Sequence, residues 1–476
     1  MAEFEGLQGL VEDVLIRILA HCDVLNVLAI GATSKYFHHL AFSRNVWLTL
    51  VTKLAQWRFI DRRPDENMYD LSTEQLVDQV KRALHGPKTW SPPSRESRHL
   101  LQKGVDSLVW KSPATSNPTP LPVESRCIIL HLDVPRDPWG PGIPFCMSEP
   151  KLLQGENYIL QHWGTLECWN VFEDKLVWKH TCSMDNATVL MFAAELTDDD
   201  KLVILTCQHT WDHARTNFVE VTTLDLLTGF TSLVLVSRLP NSPQADPYRS
   251  CAVRGHIAAV ELDGQVTLIN WRTSSCVAIL TGNSLSHIAL AANCLVLTLL
   301  SPRGELQLAC SPLPSPVSWA PIDSVRASSS RITVKDLPII FADTISLNGR
   351  TFTRGEPFLA VHESPVDPGR FRVWLHLESD QMGILSSYEF VARETAVSWH
   401  RRSSVPVSSN IGPAGVSFSG HVLSWRSEIF PPVPLVKEAT APCIPLETGG
   451  GLVHLSPYSG AVTYSTVKSL DVVYYD

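Results

Sequence analysis

Charged side chains are scarce in this chain, and they form no basic stripe. Lys, Arg, Asp and Glu make up 18% of the 476 residues, and no run of Lys or Arg exceeds two positions. The formal net charge is −9. Nucleic-acid backbones and anionic membrane surfaces bind clustered basic residues. The composition therefore predicts neither a nucleic acid nor a membrane as a partner.

Long apolar runs are also missing. The longest, residues 288–300, has 13 residues and includes Asn293 and Thr298, so it is too short to cross a bilayer. The opening residues, MAEFEGLQGLVEDV, are acidic and lack the pattern of a secretion signal. The eleven cysteines are odd in number and contain no CxxC pair, which is typical of reduced thiols. These features predict a cytoplasmic protein, a nuclear protein or both.

Signatures of catalysis are absent as well. The sequence contains no GxSxG, HExxH or Walker motif. His209 and His213 are four residues apart, but no third ligand is near them in the sequence. Asp198, Asp199 and Asp200 lie between apolar runs and predict a charged hairpin turn. We therefore expect no enzymatic activity, no metal and no cofactor.

The N-terminal residues carry the strongest helical pattern. Apolar side chains from Leu10 to Cys22 recur at spacings of three and four, which predicts one face of a helix. Asp23 can cap a second helix, Val24 to about Ala32, and Thr33 or Ser34 a third. A polar turn at 43–45 is expected before Trp47. Three helices of about ten residues bury little surface alone, so their apolar surplus needs a partner.

This stretch resembles the F-box family. The resemblance covers about 40 residues and rests on an acidic pair, apolar pairs at helical spacing, a central Asp, an aromatic in the third helix and a closing Val-Trp. Val11 and Cys22 stand where that family usually has Pro and Leu. The matching residues are Leu10, Glu12, Asp13, Val14, Leu15, Ile18, Leu19, Asp23, Val27, Leu28, Ser34, Lys35, Phe37, Leu40, Val46 and Trp47.

The resemblance implies a substrate receptor of a cullin-RING (SCF-type) ubiquitin ligase, with an F-box at 5–50. Its partners would be a Skp-type adaptor, a cullin reached through that adaptor, and a protein substrate that the sequence does not identify. The adaptor-binding residues would be Leu10, Val11, Leu15, Ile18, Leu19, Val24, Val27, Leu28, Phe37, Leu40 and Trp47. Alternatively, the helices only cap the C-terminal domain. Deleting residues 1–60 would then destabilise that domain, whereas it would survive loss of an F-box.

Residues 51–124 are predicted to form a helical and Pro-rich linker. A helix is expected over 71–86, where Ser72 and Gln75 have the spacing of a capping box and Gly86 with Pro87 ends the helix. The following residues include SPPS and SPATSNPTPLP, which cannot continue a helix.

From about residue 125, short apolar runs alternate with turns. Three clear units, 163–180, 217–235 and 262–280, share a turn, an alternating strand and a polar-aromatic junction, and four weaker copies follow. The junctions, 39 to 66 residues apart, are Asn170, Asp225, Asn270, Ala309, Leu375, Trp425 and Tyr464. The third unit resembles a WD-type repeat, whose period is about 40–45 residues. We predict a degenerate β-propeller over 125–476 with about seven blades; six or eight are possible. A β-sandwich or two smaller β domains is the alternative.

Two further expectations concern the repeats. Trp169, Trp271, Trp374 and Trp425 should pack between sheets. The long intervals 170–225 and 309–375 should contain insertions. Arg401 and Arg402 with His400 are the nearest candidate for binding a phosphate, although a solvated loop is the simpler interpretation of them.

Overall fold

The structure is a computed structural model that describes residues 10–60, 67–90, 124–131 and 147–475. The last range has gaps at several loops, of which 346–356 and 431–443 are the longest. Its α-helices all precede the first strand and are α1 (Glu12–His21), α2 (Val24–Gly31), α3 (Lys35–Ala41), α4 (Arg44–Gln56) and α5 (Thr73–His85). Two short 3-10 helices, Met68–Asp70 and Lys88–Trp90, flank α5.

The strands of the described residues form seven sheets, which we number as blades 1–7. Blade 1 holds β2 (Met147–Leu152), β3 (Tyr158–Trp163), β4 (Thr165–Asn170) and β5 (Lys175–Lys179). Blade 2 holds β6 (Ala187–Leu196), β7 (Lys201–Thr210), β8 (Asn217–Asp225) and β9 (Thr231–Arg238). Blade 3 holds β10 (Tyr248–Arg254), β11 (Ile257–Leu262), β12 (Gln265–Asn270) and β13 (Ser275–Leu280), with β17 (Ala320–Pro321) and β18 (Arg331–Thr333) added at its edge.

The remaining blades follow the same plan. Blade 4 holds β14 (Leu285–Ala291), β15 (Cys294–Leu300), β16 (Leu306–Pro312) and β19 (Phe341–Ile345). Blade 5 holds β20 (Phe358–Glu363), β21 (Arg370–Glu378), β22 (Met382–Arg393) and β23 (Ala396–Ser408). Blade 6 holds β24 (Pro413–Val416), β25 (Val422–Ser424), β26 (Glu428–Phe430) and β27 (Ile444–Pro445). Blade 7 holds β28 (Leu452–Leu455), β29 (Val462–Ser465), β30 (Ser469–Tyr475) and β1 (Glu124–His131).

The seven sheets close into one ring. From blade 2 to blade 7 the first strands of neighbouring blades contact each other, β28 of blade 7 contacts β2 of blade 1, and β4 of blade 1 contacts β6 of blade 2. β1 closes blade 7 by pairing antiparallel with β30, so both ends of the β region meet in one sheet. The prediction of a seven-bladed propeller is confirmed. The alternative of a sandwich or two β domains is wrong, because every sheet contacts the next around a single ring.

Each interface between blades has its own apolar core. Blade 3 shows how the sequence achieves this: Ile257 and Ala259 of β11 pack towards blade 4, whereas Ala258 and Val260 pack towards blade 2. Alternate side chains of a strand point to opposite faces, and both faces of a blade are covered. The apolar runs of the repeats are therefore continuous rather than alternating, and seven such cores hold the ring together.

The polar junctions of the three clear repeats set equivalent turns. Asn170 Oδ1 accepts hydrogen bonds from the backbone N–H groups of the residues two and three positions later, at 2.9 and 3.1 Å. Asp225 and Asn270 make the same pair of bonds. Such side-chain turns explain why Asn and Asp recur there. Each of the seven predicted junctions lies in a different blade.

The structure corrects the predicted division of the helical region. The residues expected to form a polar turn begin α4, which contains Trp47 and runs to Gln56, so the predicted boundary between 50 and 51 lies inside a helix. One apolar core contains side chains from all five helices, α1 to α5. The linker helix is confirmed, because Ser72 and Gln75 form both bonds of the capping box at the start of α5. Residues 5–9 and the Pro-rich stretch 91–123 lie outside the described residues.

Other expectations about the propeller were partly wrong. Trp169, Trp271 and Trp374 are buried, but Trp425 follows β25 in a turn and is 55% exposed. The interval 170–225 is long because β6 and β7 have ten residues each, not because of an insertion. The interval 309–375 does contain one: the chain after β16 supplies β17 and β18 to the edge of blade 3.

Candidate functional site

Local hydrogen bonds define the helices that resemble an F-box. The Asp23 carboxylate accepts from the backbone N–H of Asn26 at 2.7 Å and caps α2. Ser34 Oγ accepts from the N–H of Phe37 at 3.2 Å and caps α3. Cys22 donates its thiol proton to the carbonyl oxygen of a residue one turn earlier in α1. The predicted caps are therefore present, and they fix where each short helix begins.

Most residues predicted to bind an adaptor are buried within the helical region itself. These seven side chains, none more than 8% exposed, form its core: Leu15, Leu19, Val24, Val27, Phe37, Leu40 and Trp47. Trp47 packs near Phe42, with ring centroids 5.7 Å apart. In this structure their direct role is to hold the helices together.

The remaining four predicted residues stay exposed. With three further exposed apolar residues of α1, α2 and α3, they form what we call the helical surface: Leu10, Val11, Val14, Ile18, Leu25, Leu28 and Tyr36. Their exposed fractions run from 40% to 69%. Val14 and Ile18 are one turn apart on α1, and Leu25 and Leu28 are three apart on α2, so each pair shares a helix face. The helical periodicity could have identified Val14 and Leu25 before the structure did.

The helical region is fixed to one face of the propeller. This face carries the turns between the first and second strands of the blades, and we call it the first-turn face. Phe59, after α4, packs edge-on against Tyr458 of blade 7 with ring centroids 5.1 Å apart. Arg58 donates from Nη2 to the carbonyl oxygen of Thr197 in blade 2 at 2.6 Å. Val366 of blade 5 belongs to the helical core. Contacts to three blades hold the helices at one orientation.

The last described residue before β1 is buried between two blades. Trp90 is 1% exposed and belongs to the core between blades 6 and 7. Its ring lies 5.2 Å from that of Tyr475 and 5.4 Å from that of His421. Gly460 has φ +72°, and a Cβ there would lie 2.5 Å from Pro87. This close approach requires glycine, and the sequence did not reveal it.

Polar contacts reinforce the linker helix. Lys88 Nζ lies 2.7 Å from the Asp78 carboxylate, and its hydrogen bond holds the pKa of that carboxyl below its usual range. Burial, together with the Arg372 guanidinium, lowers the pKa of His85 at the end of α5. Arg372 in turn donates to the carbonyl oxygen of Phe418 at 2.9 Å. These contacts bring the end of α5 against blades 5 and 6.

The other candidate residues do not form a reactive site. His209 is fully buried, with Nδ1 2.7 Å from the Asn217 side chain, and His213 lies outside the described residues. Asp198–Asp200 also lie outside them. No three His, Cys, Asp or Glu side chains in the described ranges are placed to hold a metal ion. Arg401 and Arg402 lie on β23 rather than on a loop, paired with carboxylates of Asp343 and Glu389 respectively.

A buried contact between a histidine and a carboxylate joins blade 1 to blade 2. His180 Nε2 lies 3.4 Å from Glu220 Oε2, and both side chains are at most 5% exposed. The backbone N–H of Ser183 donates to Glu220 at 3.1 Å. Burial lowers the pKa of His180, although Glu220 opposes that shift. The described contacts anchor the connection between the two blades.

Comparisons with known proteins found distant structural likenesses. No family model matches the chain. No characterised protein sequence matches it either. The WD40 domain of SCAP from fission yeast is 10% identical, over 70% of this chain and 85% of that one, with a TM-score of 0.25. The Nup133 β-propeller domain from Vanderwaltozyma polyspora is 8% identical, over 68% of this chain and 83% of that one, with a TM-score of 0.35. Likeness at this level carries no argument about function.

The sheet order and the ring of contacts define the class of the protein. It is a seven-bladed β-propeller with a small N-terminal helical region. A closed ring of this kind presents its turns and loops on a rigid frame. No helix in the described part of the chain is long and apolar enough to cross a membrane.

Proposed function

We propose that this chain is the non-catalytic substrate-recognition subunit of an SCF-type (cullin-RING) ubiquitin ligase. The helical surface would bind a Skp-type adaptor, and the propeller would hold a protein substrate. One observation carries the proposal: the seven apolar side chains of the helical surface remain exposed after the helices have buried their own core and joined the propeller. Exposed apolar residues concentrated on one small module are typical of a docking surface.

The buried residues would support docking indirectly. Leu15 and Leu19 alternate around α1 with the exposed Val14 and Ile18, so the core side chains orient the exposed ones. A polar substitution at Leu19 would therefore unfold the helices rather than test binding. Substitutions at Ile18 and Leu28 test binding directly, because both are 40% exposed.

The position of the helices favours one propeller face for the substrate. The helical region covers part of the first-turn face, through contacts with blades 5, 6 and 7 among others. The opposite face carries the turns between second and third strands. There Trp211 and Trp425 are 47% and 55% exposed, as suits a surface that binds protein. We place the substrate on this opposite face, and the partner ligase would supply catalysis through proximity.

A second candidate is a propeller scaffold whose helices act only as a cap. The apolar contact of Ala83 with Phe418 and Tyr458 favours it, because this contact would be exposed if the helices were removed. Deleting residues 1–60 would remove Phe59, which packs on Tyr458, so the deletion would destabilise the propeller under either hypothesis. Only a change confined to the helical surface distinguishes the two.

The experiment is a binding measurement with a purified Skp-type adaptor and the full chain. We expect Ile18→Asp and Leu28→Asp each to weaken binding about tenfold or more, since each removes apolar contact and places a carboxylate in the interface. Leu227→Asp is the matched control, because Leu227 is 90% exposed and lies on blade 2. All three variants should keep the thermal midpoint of the unchanged protein. Undiminished adaptor binding by both helical variants, or no binding by the unchanged protein, would favour the cap.

A further inference from the structure

Lys151 is a half-buried cation on β2, the first strand of blade 1. Within the described residues its ammonium group makes no hydrogen bond or ion pair, and Nζ lies 4.8 Å from the centroid of the Phe192 ring. By contrast, Arg254 at the end of another first strand is paired with the Glu363 carboxylate. A charged group that leaves water normally needs such a partner. The charge of Lys151 is therefore not neutralised by the described part of the protein.

The Lys151 side chain spans the junction between blades 1 and 2. At this junction β6 contacts β4, whereas the first strands of the other neighbouring blades contact each other directly. The His162 ring, on β3, packs edge-on against the same Phe192 of β6, with ring centroids 6.2 Å apart. Lys151 pairs with Leu160, two residues before His162, so Lys151 and His162 share one face of blade 1. Both side chains therefore meet around Phe192.

Two imidazoles near Lys151 have nitrogens without a hydrogen bond. His162 is 0% exposed, and at least one of its ring nitrogens lacks a partner among the described residues, as does Nδ1 of His454. His454 lies opposite Thr463 in blade 7, and the Thr463 hydroxyl donates to the carbonyl oxygen of Pro150, next to Lys151. Burial chiefly, with a contribution from the Lys151 charge, lowers the pKa of His162 to about 4 and that of His454 to about 3. Both rings are therefore neutral at pH 7, and each carries one N–H donor.

The helical region covers the end of this junction that lies nearest Lys151. Arg58, after α4, packs against the turn that follows β2, where a Cβ on Gly155 would lie 2.6 Å from the Arg58 Cα. Arg58 also donates to the carbonyl oxygen of Thr197 in blade 2. A chain segment of a partner is therefore kept from this end, whereas a small ion can reach it through the central channel of a propeller.

We propose that the junction of blades 1 and 2 binds a free inorganic oxyanion, phosphate or sulfate, between Lys151, His162 and His454. The anion neutralises the ammonium group and accepts hydrogen bonds from it and from the imidazole N–H groups, and such charge-assisted bonds are the strong ones. It links side chains of β2, β3 and β28 at the junction where the first strands do not meet directly. This site is separate from the helical surface and does not depend on adaptor binding.

Calorimetric titration of the full chain with sodium sulfate, and separately with sodium phosphate, tests the proposal at neutral pH and constant ionic strength. Each ion should bind at one site per chain with a dissociation constant of about 1 mM or lower. Lys151→Met keeps the length and apolar stem of the side chain but removes its charge, so it should weaken sulfate binding about tenfold or more. His454→Phe should also weaken it, because it removes one donor.

Lys175→Met is the matched control, because Lys175 is exposed on β5 of the same blade. It should leave sulfate binding unchanged. The thermal midpoint is a second measurement: without sulfate, Lys151→Met should unfold no earlier than the unchanged protein, because methionine needs no counter-ion. Sulfate stabilises most proteins by exclusion from their surface, so the test is whether it raises the midpoint of the unchanged protein more than that of Lys151→Met.

Three results would overturn the proposal: neither ion binds, both site variants bind sulfate as tightly as the unchanged protein, or Lys175→Met loses binding to the same extent as Lys151→Met. A phosphoserine peptide provides the last comparison and should bind more weakly than phosphate. Tighter binding of the peptide would overturn the assignment to a free ion, because the phosphoryl group would then arrive on a partner.

Discussion

Buried histidines predict that the protein loses stability between pH 7 and pH 5. His162 and His421 are 0% exposed, and His376 is 3% exposed. Burial lowers the pKa of each imidazole to about 4. An exposed imidazole has a pKa of about 6.5. The unfolded chain therefore binds more protons than the folded protein between these two values. Stability is complete above about pH 6.5 and decreases as the pH falls towards 4.

The expected loss is large relative to the stability of a domain. A pH of 5 is about 1.5 units below the pKa of a histidine in the unfolded chain. Each buried histidine therefore lowers the free energy of unfolding by about 2 kcal/mol at that pH. The three together lower it by about 6 kcal/mol. Typical domains are stable by about 5–15 kcal/mol, so the protein should be close to unfolding at pH 5.

The measurement is the urea midpoint, followed by tryptophan fluorescence, from pH 8 to pH 5. His376→Leu tests one contributor, because Nε2 of His376 is buried without a hydrogen-bond partner and leucine removes the titrating group. The urea midpoint of this variant should equal that of the unchanged protein at pH 8 and be higher than it at pH 5. His39→Asn, on the exposed side of α3, is the control and should leave the pH dependence in place. A urea midpoint that stays constant from pH 8 to pH 5 would refute the reasoning. So would a midpoint that decreases with falling pH as steeply in His376→Leu as in the unchanged protein.

Three further predictions concern how the helices and the ring are held together. Trp90→Ala should lower stability by about 3–5 kcal/mol by leaving a cavity between blades 6 and 7, while Trp425→Ala at an exposed turn should change the thermal midpoint little. Gly460→Ala should lower the thermal midpoint by several degrees, because the new Cβ would collide with Pro87 and because φ at this position is positive. Gly255→Ala is the control for the effect of a positive φ alone, because nothing lies within 4 Å of a Cβ there. A chain that begins at residue 132 lacks β1, whereas a chain that begins at residue 124 keeps it. Thermal unfolding followed by circular dichroism should show a broader transition at lower temperature for the shorter chain. Equal transitions for the two chains would contradict closure of the ring by β1.

Much of the fold could be predicted from local patterns. Asp23, Ser34 and Ser72 marked helix starts, because a capping side chain bonds to backbone only two or three residues away. The junctions Asn170 and Asn270 marked blade turns for the same reason. The repeat spacing predicted about seven blades, with six or eight still possible. In each case the information lies within a few residues or recurs along the chain.

The candidate site was harder to predict. Periodicity identified the apolar residues of α1 and α2 but could not separate Leu19, which is buried, from Ile18, which is 40% exposed. Two adjacent apolar residues on a helix are equivalent in sequence until a neighbouring helix covers one of them. α4 supplies that neighbour, and it was missed because it begins within the polar residues at 43–45.

The sequence by itself determined the helix starts, the blade turns, the repeating blade pattern and the excess of apolar residues near the N-terminus. These features depend on hydrogen bonds and periodicities that are local in the chain. Only the tertiary structure decided that β1 closes blade 7, that Trp90 lies between two blades, and that β17 and β18 cover the edge of β13. Those outcomes depend on which distant segments meet, and the pairing of β1 with β30 joins residues more than 300 positions apart.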